Sequence, residues 1–197
     1  MRIRSAVLAL LCVLLAVAGR AAAQQPEQPN MEEMMQEMVK LATPGEHHKH
    51  LEQFIGAWTT RGRFWTAPGA EPLESTGEAE HKPVLGGRFI ELTYKGVMMD
   101  MPFEGMGFIG YDNYQKKHVD FWIDNFGTLM LTGEGACDAS GKTVTMMTTV
   151  DDPLSQTRKT LRSVYSFPSA NEYRLEMYDT GPDGKEFRTL EIIHIRK

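Results

Sequence analysis

Arginines and glutamates recur at positions of this chain where a simple oily sheet would not need them: Arg88, Glu91, Arg162, Arg174, Glu176 and Glu191. A guanidinium can clamp a carboxylate in two parallel hydrogen bonds, so an inward-facing arginine would be a structural bridge or a grip for a ligand carboxylate. On the outside the same residues would be solvated surface charges. A second set lies on one alternating run. His118, Asp120, Trp122 and Asp124 share one face and Val119, Phe121 and Ile123 the other. Alternation does not say which face points inward. If the polar set faces in, Trp122 and Asp124 become an aromatic wall and a buried polar anchor. The ligand-binding candidates are Trp65, Arg88, Tyr94, Trp122, Asp124, Arg162, Glu176 and Tyr178.

Other chemistries find less support. No Ser-His-Asp pattern with a nucleophile elbow occurs, and Cys137 has no adjacent His or Lys to activate it. Gly107 and Gly110 lie in an expected strand flanked by strands, with no helix to receive a phosphate, and are expected to let the sheet bend. His47 and His50 with Met98, Met99 and Met101 offer soft ligands for copper, and His194 is a late histidine that could hold haem. The copper spacings are imperfect and no haem motif is present. No metal and no cofactor is assigned.

The elements that must position these residues are mostly strands. Alternating runs are expected near 58–65, 73–84, 88–97, 103–111, 117–125, 128–137, 143–150, 157–167, 172–178 and 186–196. Asp112-Asn113, Asn125-Phe126-Gly127, Asp138-Ala139-Ser140-Gly141 and Gly181-Pro182-Asp183-Gly184 mark reversals. Two helices should precede them. Met31, Met34, Met35 and Met38 form one face of a helix whose other face is acidic; Thr43-Pro44-Gly45-Glu46 reads as an N-cap, first-turn proline and capping glutamate. Gly56 ends the second helix, which is placed to cap one barrel mouth.

Residues 1–23 read as a signal peptide: Arg2 and Arg4, an uncharged apolar run from Ser5 to Ala18, and Ala21-Ala22-Ala23 before Gln24. The run is shorter than the roughly 20 residues of a membrane-spanning helix, and Cys12 lacks a lipobox. Cleavage near Ala23 gives an exported protein, periplasmic or secreted, with no membrane span in the mature chain. It also removes three of the 21 basic residues and none of the 26 acidic ones, so the mature chain is more acidic than the precursor's −5. Nucleic acid is therefore not an expected partner. Of two cysteines only Cys137 survives, so no intramolecular disulfide supports the fold. Residues 24–45 are expected to be a disordered linker with the Met-rich helix, and 46–197 a β-barrel domain.

Gly56-Ala57-Trp58, Leu85-Gly86-Gly87-Arg88-Phe89, Gly105 to Asn113, Trp122-Ile123-Asp124, Asp151-Asp152-Pro153, Gly184-Lys185-Glu186 and Ile195-Arg196-Lys197 together resemble the domain-of-unknown-function family 1579. The resemblance implies a lipocalin-like barrel and supplies no catalytic assignment. Gly56-Ala57-Trp58 also resembles the Gly-x-Trp of lipocalins, which implies an indole packed across the closed end beneath Arg188 or Arg196.

The expected fold is all-β: a closed, up-and-down antiparallel barrel of about ten strands with one or two N-terminal helices. Three functions remain open. The leading one is binding of a small, mostly apolar ligand with a polar or carboxylate head inside the barrel. The others are a small-barrel isomerase, decarboxylase or hydrolase using Glu, Arg or Tyr, and a solid barrel that docks a protein partner through the Met-rich helix.

Overall fold

The computed structural model describes residues 30–152 and 156–197. Met31–Ala42 (α1) and Glu46–His50 (α2) lead into a 3₁₀ turn, Leu51–Phe54. Ten strands follow: Gly56–Phe64 (β1), Leu73–Val84 (β2), Phe89–Met98 (β3), Met101–Asp112 (β4), Lys117–Asp124 (β5), Leu131–Cys137 (β6), Thr143–Asp152 (β7), Thr157–Ser169 (β8), Glu172–Thr180 (β9) and Glu186–Arg196 (β10). Each pairs antiparallel with its neighbour in sequence, and β1 pairs with β10 to close the barrel, with Trp58 opposite Arg196. Closure satisfies both outer ladders, which removes the exposed edges an open meander would carry.

Every expected strand is present, most within two residues of its expected ends. β6 starts later than expected, at Leu131 rather than Thr128, because the preceding loop is held elsewhere. Asp124 Oδ1 accepts from the Phe126 N–H, while the Asn125 side chain donates to the Pro102 carbonyl and accepts from the Glu104 N–H. The second helix also starts later than its sequence suggests. Gly45, not Thr43, is its N-cap, and the His48 Nδ1 accepts from the Gly45 N–H at 3.0 Å. Thr43 stays outside the helix because Asn113 donates to the carbonyls of Leu41 and Thr43, tying this segment to the β4–β5 turn.

The described chain falls into two units, divided between Val39 and Lys40. The division falls within α1, which buries none of its residues; Met31, Met34, Met35, Met38 and Val39 of the first unit are exposed. The acidic Glu32 and Glu33 in its first turn and Lys40 in its last suit the helix dipole.

In the second unit, α2 and the 3₁₀ turn close one end of the barrel. Leu51 and Phe54 are fully buried against Trp58, Phe167 and Tyr173. Phe54 meets Tyr165, Phe167 and Tyr173 edge-on, with centroids 4.9 to 5.3 Å apart. Arg196 lies 4.1 Å over the Trp58 ring, donating to the carbonyls of Ile55 and Ala170, while the Trp58 indole N–H donates to Phe54. Of the two arginines expected there, Arg196 fills the place. Gly56, at φ +143°, passes so close to that guanidinium that a β-carbon would collide with it. Packing of this kind contributes roughly 0.5 to 2 kcal/mol per desolvated cation-π pair.

Candidate interior binding site

Strand alternation, anchored by the buried residues of each strand, decides the question left open for β5. Its polar set faces inward: His118 is 1% exposed, and Asp120, Trp122 and Asp124 follow it along the inner wall toward the end opposite the helical cap. The reason is visible on β4. Gly105 and Gly107 present no side chain, and the Trp122 indole lies flat over them. Gly107 and Gly110 were expected to let the sheet bend; the structure adds that Gly107, with Gly105, makes room for an aromatic ring. Gly110 does the same for Phe89.

Exposure of the inner-facing side chains changes along the barrel axis. Near the cap, Trp58, Ile90, Ile109, Val144, Met146 and Tyr173 are buried. Toward the opposite mouth, inner-facing Trp122, Leu131, Leu161, Leu175, Leu190 and Ile192 are only half-buried. Water therefore reaches the inner wall from that mouth. On the side of β2 to β6 its rim carries an apolar stretch: Leu73, Met99, Met101, Phe126, Leu129 and Met130 are exposed. Tyr94, Phe103 and Phe126 form an aromatic chain from inside to rim, with successive centroids 5.6 and 5.0 Å apart.

Asp120 sits midway along β5, opposite Gly133 of β6, which in turn lies opposite Thr148 of β7. Its carboxylate and the Thr148 hydroxyl share the space above Gly133, whose N–H donates to Asp120. Burial outweighs that hydrogen bond and raises the carboxyl to about 6. Tyr165 of β8 is near enough for the Asp120 charge, after burial, to push its phenol further up. Among the described residues, Asp120 has no ion-pair partner. Nearer the rim, Asp124 accepts from the Trp122 indole N–H at 3.1 Å, and Lys159 bridges Asp152 at 2.7 Å and Asp179 at 3.4 Å.

The eight sequence candidates therefore divide. Tyr94, Trp122 and Asp124 belong to the inner wall. Arg88 lies in the β2–β3 turn, bonded to the Leu85 carbonyl. Trp65, Arg162, Glu176 and Tyr178 lie outside the barrel. There Arg162 covers Tyr178 at 4.1 Å and is paired with Glu186, and Arg188 covers Trp65 at 4.6 Å between Glu176 and Glu191. Alternation from buried Ser163 and Tyr173 puts these charges on the solvent face, so no arginine of that set points toward the barrel interior. Asp120, Thr148 and Tyr165 are among the inner-facing residues that the candidate set did not include. Asp120's place beside Trp122 on one strand face was the available signal.

Two groups of imidazoles occupy the capped half. His81 Nε2 is 2.6 Å from the Tyr173 hydroxyl, and His194 stacks on the Tyr173 ring at 3.9 Å. That stacking, in a packed part of the core, leaves no room for a macrocycle at His194. His47 and His50 stand edge-on with centroids 6.0 Å apart, and His47 stacks on Tyr111. Among the described residues, no group of three His, Cys, Asp or Glu is disposed to hold a metal ion. Cys137 is partly buried; burial and then Asp138 push its thiol up, away from a reactive thiolate. Two clefts lie outside the inner wall. One of about 330 Å³ is lined by Gln53, Lys142 and the 167–170 segment, and one of about 220 Å³ lies over β1–β3.

Comparison with known proteins agrees with the architecture. A family model described as "Protein of unknown function (DUF1579)" matches residues 43–196. Among solved structures, the chain is similar to that titled "Crystal Structure of Rv2717c from M. tuberculosis", at 15% identity and a TM-score of 0.58 over 79% of this chain and 99% of that one. At that identity the likeness concerns the fold alone. No curated protein matches.

Proposed function

The chain belongs to the DUF1579 family, whose description assigns no activity, and we propose from the barrel itself that it binds a small, mostly apolar ligand with a polar head. The observation that carries this reading is the gradient of exposure along the inner wall. A barrel used only as a solid scaffold would bury inner-facing Trp122, Leu161 and Ile192 as fully as it buries Ile109 and Met146. The ligand enters at the mouth opposite the helical cap, where the apolar stretch of the rim receives its chain, and lies against Trp122, Tyr94 and Phe103. A carboxylate head is the less favoured choice, because Arg162 and Arg188 face outward and the inner wall offers carboxylates instead.

We further propose that residues 1–23 are an export signal removed near Ala23, supported by the basic start, apolar run and small-residue site. Binding would then take place in the periplasm or outside the cell.

Native mass spectrometry of the protein purified from its own compartment, before and after denaturation, tests the binding reading. The expected result is a reproducible extra mass that is released on unfolding. Trp122→Ala should lose that mass while keeping the barrel's circular dichroism. A bare wild-type chain that also fails to take up any small amphiphile would overturn the reading.

A further inference from the structure

We propose that the interior site selects a cationic head, an amphipathic organic amine, through the Asp120 carboxylate and the adjoining face of Trp122. The inference rests on the internal binding site proposed above and names its ligand class.

Asp120 is an inner-facing carboxylate deep in the barrel, yet it keeps some water contact, so it lies within reach of a molecule entering from the mouth. Its one described backbone donor is the Gly133 N–H, with the Thr148 hydroxyl beside it. A carboxylate has about four lone-pair sites, so acceptor capacity is left over. No Lys, Arg or His among the described residues pairs with it. Buried ions need a partner, and a bound ammonium would supply both countercharge and hydrogen-bond donors.

The surroundings suit the same head. Trp122 is the next inner-facing residue, about 6.6 Å along the strand by its ordinary rise. One indole face rests on Gly105 and Gly107, and the half-buried ring has its other face toward the interior, where a cation is attracted by the ring's negative quadrupole. On the capped side lies His118, 1% exposed, with neither ring nitrogen hydrogen-bonded among the described residues. The charged groups facing the approach are Asp124, Asp152 and Asp179 against Lys159, which is already paired. An anionic head would meet net negative charge along the whole path; a cation would be drawn in.

Three probes of one chain length separate the possibilities: dodecylamine, dodecanol and dodecanoate, each below its micelle concentration, titrated against tryptophan fluorescence and checked by native mass spectrometry at pH 7.5. The amine should bind at least about tenfold tighter than the other two. Asp120→Asn should abolish that preference while dodecanol binding is retained. In the unaltered protein, amine affinity should fall as pH drops through about 6, where Asp120 takes up its proton. Equal or tighter binding of dodecanoate, or an amine preference that survives both Asp120→Asn and acidification, would overturn the inference and leave the internal site standing. Failure of all three probes to bind would overturn both.

Discussion

A buried carboxylate without a countercharge has a cost, and at the residue scale that cost is measurable. The Asp120 carboxyl is raised from 3.8 to about 6, first by burial. The unfolded chain ionises more readily than the folded one, so stability falls as pH rises from about 4 to about 6 and stays reduced above that range. Replacing Asp120 with Asn keeps an acceptor for the Gly133 N–H and removes the ionisation. Urea unfolding of Asp120→Asn should show a gain of roughly 1 to 3 kcal/mol at pH 8 and almost none at pH 4. A variant less stable than the parent at both pH values would show that Asp120 is a structural bridge. A residue that weakens the fold where a neutral isostere would strengthen it is the pattern expected of a functional site.

At the element scale, the sequence made the strands legible and the faces illegible. Turn residues such as Asp112-Asn113 and Gly181 to Gly184 bound each run, and alternation filled in the rest. The orientation of β5 was open because both of its faces carry large side chains. The answer was written on a different strand, in the missing side chains of Gly105 and Gly107 that make room for Trp122. The outward Arg-Tyr and Arg-Trp stacks were unreadable for a related reason: aromatic rings and guanidiniums stack equally well on a barrel's outer wall. Gly107→Ala tests this account, since the added carbon would press on the Phe121 carbonyl and the indole. Thermal or urea unfolding should show a loss of about 1 to 3 kcal/mol, with shifted Trp fluorescence. Gly127→Ala, in an open loop with its nearest neighbour 3.8 Å away, should change stability by less than about 0.5 kcal/mol.

At the scale of the whole barrel the two ends differ: a packed, capped half whose inner-facing residues are buried, and an opposite half whose inner wall stays partly exposed. The capped half is rich in imidazoles, and burial disfavours the charged form of four of them. His81 and His118 are pushed down to about 4, His194 well below its usual value, and His48 in the same direction. His81 is hydrogen-bonded to the Tyr173 hydroxyl, and His118 lies beside Tyr111 and His47. As pH falls through 6.5 the unfolded chain takes up protons that the folded chain refuses until about 4, so stability is full above 6.5 and is lost across that window. For His81 alone the loss by pH 4 is about 3 kcal/mol. Asp120 acts in the opposite direction over nearly the same range, but it is one group against several imidazoles, so the fall should win. Urea midpoints measured from pH 7.5 to 4 should decline steadily, most steeply below 6.5. His81→Gln, which can still bond to Tyr173, should flatten the decline. A midpoint unchanged across this range would mean that the imidazoles open to water before they charge, and that the capped end is not the rigid half of the barrel.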